Sequence, residues 1–326
     1  MFARRTWGSK PHMTSAANRS TRHTVLIAGA ANLFVASIKL AAGILAGSSA
    51  MLSEAAHSIA DTLNQVFLLT SVNRAERPPD RRHPFGYGQE RYFWSLLAAF
   101  GIFIAGGGFS VFEGILALSR SDSGGGVLLA YLALGLSGIA EGSSLVRAGW
   151  QTRRQAKERN IGMLEHIRTT ADTTVKATFF EDCVAIIGLL LAFAGLVLRQ
   201  VTGSEVFDAA SSMAIGVLLI YVAFRLGADN RELLIGQAAD ADQVRLIRSE
   251  IELTEGIARL LDLRTMRLGP DGLIVAARVA FDDGISADEA EDLSDGIDAR
   301  LAERLPVQAH VFLDPTQLKP VATERR

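Results

Sequence analysis

Six stretches of the chain are almost unbroken runs of apolar residues, near 24–46, 50–72, 95–118, 127–147, 176–198 and 207–226. Each matches the roughly 20 residues that a helix needs to cross the hydrocarbon of a bilayer. The runs are continuous rather than alternating, so helices are expected and a membrane β-barrel is not. No proline falls inside any of them.

Beyond position 236 the pattern changes. Val244, Ile247 and Ile251 recur every three to four residues behind Asp240 or Asp242, which predicts a helix over 240–253. Strand-like runs at 260–268 and 273–281 are split by Gly269-Pro270-Asp271-Gly272, a hairpin signal. Ser286-Ala287-Asp288-Glu289 reads as a capping box opening a second helix, 286–304. A last strand, 307–313, ends at Asp314-Pro315. The order αββαβ predicts a three-stranded sheet with two helices on one face. The expected fold is therefore an α-helical membrane protein of six transmembrane helices, followed by a small cytoplasmic α/β domain. The divisions are a basic tail (1–23), a membrane domain (24–235), the αββαβ domain (236–315) and a C-terminal tail (316–326).

Charge divides at the same place. Residues 1–235 hold 22 Lys and Arg against 17 Asp and Glu, and residues 236–326 hold 11 against 18. The chain is 49% hydrophobic and its mean hydropathy is +0.23, which excludes a disordered protein and a purely soluble enzyme. The acidic end argues against nucleic acid as a partner. A single cysteine, Cys183, excludes an internal disulfide framework. It reads as a small buried hydrophobe rather than a ligand.

The loops orient the bundle. Arg74, Arg77, Arg81, Arg82 and Arg91 follow the second run, and Arg153, Arg154, Lys157, Arg159 and Arg168 follow the fourth. The opposite loops carry only Arg120 and Arg199. Excess Arg and Lys marks the cytoplasmic side, so both termini are expected there. Residues 1–23 contain Arg4, Arg5, Lys10, Arg19, Arg22 and no acid. They resemble a targeting peptide, but a cytoplasmic tail is the better reading before six spans. A bacterial plasma membrane is the expected location, with an organelle as the alternative.

Polar residues inside the runs carry the chemistry. The second run reads Ser53-Glu54-Ala55-Ala56-His57-Ser58-Ile59-Ala60-Asp61-Thr62-Leu63-Asn64-Gln65. His57 and Asp61 lie four apart on one helix face, and Ser53 and Asn64 extend that stripe. A charge at mid-bilayer costs about 2.5–3.5 kcal/mol on insertion scales, so it normally faces the bundle interior and marks an ion path. An imidazole nitrogen and a carboxylate oxygen suit zinc or a similar divalent ion. Glu181-Asp182 in the fifth run supplies further acids, about 100° apart around the helix. Lys39, Glu113, Glu141 and Asp208 are the other charges within the runs, open to either proton movement or structural pairing, with Lys39 expected to meet a glutamate. A membrane metalloenzyme is not expected, since there is no His-Glu-x-x-His, nucleophile elbow or Gly-rich phosphate loop.

These residues resemble the cation diffusion facilitator family of zinc transporters. The likeness lies in Ser53-x-x-x-His57-Ser58-x-x-Asp61, Asn32 and Lys39, Asp208-x-x-Ser211, the loop His83-Pro84-Phe85-Gly86-Tyr87-Gly88-x-Glu90-Arg91, and the αββαβ tail. It covers about 24–315. Glu141-Gly142 and Glu181-Asp182 with Gly188 are similar to the subgroup of mitochondrial-type transporters. The resemblance implies a homodimer that exports divalent cations against inward protons. It also implies metal ligands at His57, Asp61 and Asp182, with Thr178 standing where the family usually has a histidine, so that Thr178, water or Glu181 completes the shell. Zinc is the expected cargo, and a more oxygen-rich shell favours Mn²⁺ or Fe²⁺. A metal sensor without transport is the other reading. His57, with a reference pKa of about 6.5, is the expected proton exchanger. His83 alone is a poor metal site, and its segment reads as a helix start or an interface. Leu261 and Phe312 stand where relatives place histidines, and Glu291 where another is common, leaving Asp314 as the one obvious ligand. No tight zinc pair is expected in the tail, and no resident cofactor.

Overall fold

The computed structural model describes the backbone over residues 15–119, 126–158, 162–163 and 173–316. Side chains are described over the same stretches apart from 15–28, 31, 155, 158 and 173–180. Six long helices come first: α1 Ser15–Ala46, α2 Ser49–Ala75, α3 Glu90–Ala117, α4 Val127–Glu158, α5 Thr173–Thr202 and α6 Val206–Ile235. Each apolar run of the sequence falls on one of them, and most of the helices continue past it. Over the described residues α3, α4, α5 and α6 are long and apolar enough to cross a membrane. In α1 the apolar stretch Asn32–Ala46 is shorter, and α2 has the length but is loaded with Glu54, His57, Asp61, Asn64 and Gln65.

Burial follows from a lipid solvent. Large side chains such as Leu132, Ile139, Leu190 and Phe224 point outward, while Ala42, Ala50, Ala55, Ala60, Ala130, Ala192 and Ala209 are buried. Lipid tails are as apolar as leucine, so small residues that let helices approach decide the packing. α3 and α6 approach each other closely. A Cβ on Gly216 would sit 2.8 Å from the Val111 amide nitrogen and 2.9 Å from the Gly107 carbonyl oxygen. Gly107 and Gly108 belong to a π-helical stretch inside α3, Ile102–Gly108, whose wider turns hydrogen-bond five residues along instead of four.

The α1–α2 turn is held from α6. The Asp208 carboxylate accepts from Ser48 Oγ (2.7 Å), Ser49 N (2.6 Å), Ser49 Oγ (2.8 Å) and Ala50 N (3.3 Å). It thereby caps the otherwise unpaired amides that open α2. Arg199 of α5 donates to the carbonyls of Ala46 (3.1 Å) and Gly47 (2.9 Å) and pairs with Glu205 at 2.7 Å.

The chain separates into two compact units, the residues up to Leu69 with Leu97–Arg225, and Thr70–Leu96 with Leu226 onward. The second unit contains α7 Ala241–Glu252, β1 Ile257–Arg267, β2 Gly272–Phe281, α8 Ala287–Arg304 and β3 Gln308–Pro315. The expected αββαβ order is present. The sheet runs β1-β2-β3, with β1 and β2 antiparallel and β2 and β3 parallel. α7 packs on β1, α8 on β3, and the two helices on each other, which puts both on one face. On β2 the buried residues Leu273, Val275, Ala277 and Val279 alternate and meet Ile247, Ile251, Ile297 and Leu301 from the helices. Ser286 and Glu289 form the expected capping box, with Ser286 N donating to Glu289 Oε2 at 2.8 Å and Glu289 N to Ser286 Oγ at 3.2 Å.

The α2–α3 loop also belongs to this unit. Asp80 organises it, accepting from Arg82 N (2.8 Å), His83 N (2.7 Å) and the Tyr87 hydroxyl (2.6 Å). Phe85 then packs edge-on against His310 (5.6 Å between ring centres) and Phe312 (6.3 Å) of β3. Gly88 passes so close to the β1–β2 turn that a Cβ would lie 2.4 Å from the Leu268 carbonyl oxygen.

Candidate metal-transport site

α2 presents Glu54, His57 and Asp61 in steps of three and four, which stacks them along one side of the helix. His57 Nε2 stands 3.6 Å from Asp61 Oδ2, beyond hydrogen-bond length. Both ring nitrogens of His57 and Oδ1 of Asp61 are buried without a hydrogen-bond partner among the described residues. Buried polar atoms are normally paired, so these mark a place prepared for something to bind.

α5 contributes Glu181 and Asp182 in diverging directions, as their offset around the helix demands. Glu181 Oε1 accepts from Asn64 Nδ2 of α2 at 3.0 Å, and Asp182 Oδ2 accepts from Ser144 Oγ of α4 at 3.0 Å. Among the described residues, no three His, Cys, Asp or Glu side chains are gathered tightly enough to enclose an ion. His57 and Asp61 come together, and Asp182 is tethered apart on Ser144. The backbone of Thr178 lies on α5, and its side chain lies outside the described residues. Cys183 is half-buried. Ser53, placed by its spacing on the His57 stripe, instead bonds Ser212 of α6 at 2.6 Å, and Ser212 donates to the Ser110 carbonyl at 2.8 Å.

Lys39 of α1 meets two glutamates rather than one. Its Nζ lies 3.0 Å from Glu54 Oε2 and 2.9 Å from Glu141 Oε1 of α4. Lys39 and Glu54 are fully buried, and removing one partner from such a pair typically costs 3–5 kcal/mol. Gly188 of α5 makes room for Glu54, since a Cβ there would stand 2.5 Å from Glu54 Oε1. Glu113 is buried in α3, and Asp208 serves the α1–α2 turn. Sequence reasoning passed over Glu54 and Ser144. Glu54 was detectable as an acid one turn before His57, but Ser144 carried no signal, because serine is common in helices that pack closely.

In the second unit α3 begins at Glu90, inside the segment that opens with His83. The His83 ring lies against Tyr87, and its Nδ1 is 3.6 Å from Asp80 Oδ1. The Tyr87 hydroxyl, then the His83 and Arg82 amides, hold the Asp80 carboxyl below the usual range.

Two family models match. Residues 25–235 match the cation efflux transmembrane domain, and residues 239–315 match the cytoplasmic domain of cation efflux proteins. The chain belongs to the cation efflux family, and the six helices α1–α6 are its transmembrane part. Among curated relatives, it is 32% identical over 244 residues to a mitochondrial protein of Xenopus laevis named proton-coupled zinc antiporter SLC30A9, covering 75% of this chain and 44% of that one. It is 32% identical over 250 residues to metal tolerance protein C4 of Arabidopsis thaliana, covering 77% and 55%. It is 24% identical over 297 residues to the manganese efflux system protein MneS of Bacillus subtilis, covering 90% and 95%. The chain spans about half the length of the mitochondrial and plant relatives.

Proposed function

We propose that the chain exports a divalent cation, zinc first, from the cytoplasm in exchange for protons. The observation that carries this is buried His57, its ring nitrogens without a partner among the described residues, beside half-buried Asp61 within the helix bundle. The zinc antiporter name of the Xenopus laevis relative supports the choice of cargo and counter-ion. The ion meets His57 and Asp61 on α2, and Asp182 leaves Ser144 to join them, with Thr178, Glu181 or water completing the shell. Ligation needs neutral imidazole and ionised carboxylates, so metal and protons compete for the same groups. Rocking of the bundle exposes the site to either side in turn. The functional unit is a homodimer joined through the cytoplasmic domain, in a bacterial plasma membrane with both termini inside. The cytoplasmic domain holds no tight zinc pair, because Leu261 and Phe312 cannot ligate. Two zinc ions retained per protomer when His57 and Asp61 are both replaced would overturn that point.

Flux into proteoliposomes with an imposed pH gradient, running Zn²⁺, Mn²⁺, Fe²⁺ and Co²⁺ in parallel, tests the reading. Zinc uptake that follows the gradient and disappears in His57→Ala and Asp61→Ala is expected. Metal-driven proton flux surviving in both variants would put the site elsewhere. A second reading, manganese or iron as cargo, is favoured by Thr178 in place of an imidazole and by the manganese efflux name of the Bacillus subtilis relative. Binding without flux of any ion would make the chain a sensor.

A further inference from the structure

The Lys39–Glu54–Glu141 cluster takes no part in ligation as described above, yet it lies in the same buried field as His57. Among the described residues the charges of that field do not balance. Lys39 from α1 and, at the exposed edge, Arg147 from α4 face five carboxylates: Glu54 and Asp61 from α2, Glu141 from α4, and Glu181 and Asp182 from α5. A divalent ion supplies two positive charges. Before it arrives, protons are the mobile charges that can offset the excess, because isolated buried carboxylates are too costly to leave ionised.

Geometry selects the carboxylate. Glu54 and Glu141 each give one oxygen to Lys39 and keep the other, Oε1 and Oε2 respectively, buried without a partner. Glu54 is sealed beneath Gly188, at 0% side-chain exposure, whereas the Glu141 side chain keeps 20%. Of the two, Glu141 alone has an exposed edge, so a small side-chain movement can bring its buried Oε2 to exchange a proton while Oε1 stays on Lys39. The charged and titratable groups facing it are Lys39 of α1 with Glu54 and His57 of α2. α5 brings the uncharged Gly188 to Glu54.

We propose that Glu141, held by Lys39 opposite Glu54, carries a proton that the arriving metal ion displaces, and so acts as a proton site apart from the metal ligands. On metal entry the O–H bond of Glu141 breaks, its electron pair stays on the carboxylate beside Lys39, and the proton passes to water. On metal release the carboxylate is reprotonated. Lys39 is the positioning residue that keeps Glu141 in place in both states. This inference rests on the antiport reading and deepens it.

The test counts protons released per zinc ion bound by the purified full-length protein in weak buffer. The same reconstituted protein is then assayed for proton-coupled zinc flux. In Glu141→Gln, whose amide oxygen can still accept from Lys39, zinc still binds, but proton release per ion falls about twofold and flux loses most of its dependence on the pH gradient. Glu141→Asp restores both. An unchanged proton count and unchanged gradient dependence in Glu141→Gln would overturn the proposal. Should that variant not fold, the wild type decides by infrared difference spectroscopy: zinc must remove a protonated-carboxyl band, and a spectrum with no such loss sinks the proposal. Wild-type protein that binds zinc but moves none refutes antiport, and its proton count and infrared spectrum still judge Glu141 separately.

Discussion

Ser144 Oγ donates to Asp182 Oδ2 across the α4–α5 contact at 3.0 Å, so the acid proposed as a metal ligand is anchored by a neighbouring helix. Partners that orient a ligand typically account for 10–100-fold in metal affinity. Ser144→Ala should therefore weaken zinc binding by about 10-fold while leaving the fold intact. Chelator competition on the solubilised protein reads this directly. Unchanged affinity would mean that Asp182 orients itself.

The α3–α6 approach makes a packing prediction. Gly216→Ala drives a methyl into backbone atoms of Gly107 and Val111, which no rotamer change can relieve. A loss of about 1–3 kcal/mol is expected from such overpacking. Gly138→Ala on α4 meets nothing within 4 Å and should be neutral. Thermal unfolding of the two variants in the same detergent checks the contrast, and equal stability would refute the packing account.

The Asp80 loop makes a prediction of order. Its three hydrogen bonds depress the carboxyl pKa, so their contribution is present above the reference value of about 3.9 and fades as pH falls through the lowered folded value. At neutral pH, Asp80→Ala should expose 80–89 to protease cleavage. Mass-spectrometric mapping of limited digests of the full chain would show it, and a digest pattern matching wild type would count against this role.

His310 also loses its contribution as pH falls, here because the neutral form is the one favoured. Burial pushes its pKa down, with Asp298 opposing, so the folded state favours the neutral ring packed on Phe85. The unfolded chain then binds more protons as pH drops below about 6.5, and stability should decline there until the folded value is passed. Hydrogen exchange in β3, corrected for intrinsic rates, should speed up on going from about pH 7.5 to about pH 5.5. In His310→Gln that extra acceleration should vanish, and a matching acceleration in both proteins would assign it to another group.

Much of the architecture was legible because lipid enforces simple rules. Continuous apolar length gave the six helices, and the Gly269–Gly272 turn and the Ser286 box gave the order of the small domain. Pairings across distant helices were not legible. Lys39 was expected to meet a glutamate, and Glu141 was among those considered, yet nothing local to α1 states that Glu54 comes too. Ser53 has the right spacing to join the His57 stripe, but Ser212 outcompetes that geometry. The π-helical stretch left no proline to announce it, only Gly106-Gly107-Gly108, which also reads as helix packing. The segment from His83 was expected to be a helix start or an interface, and α3 begins within it at Glu90, while His83 itself sits in the Asp80 turn.

That wide-turned stretch of α3 has a consequence for length variation. Removing one residue from an α-helix rotates everything beyond it and breaks its packing face. Within Ile102–Gly108 the backbone already runs to carbonyls five residues away, so dropping one residue can tighten a turn to the ordinary four. α3 is thus the span that best tolerates a one-codon deletion, with the slack taken up locally and the face toward Gly216 preserved downstream.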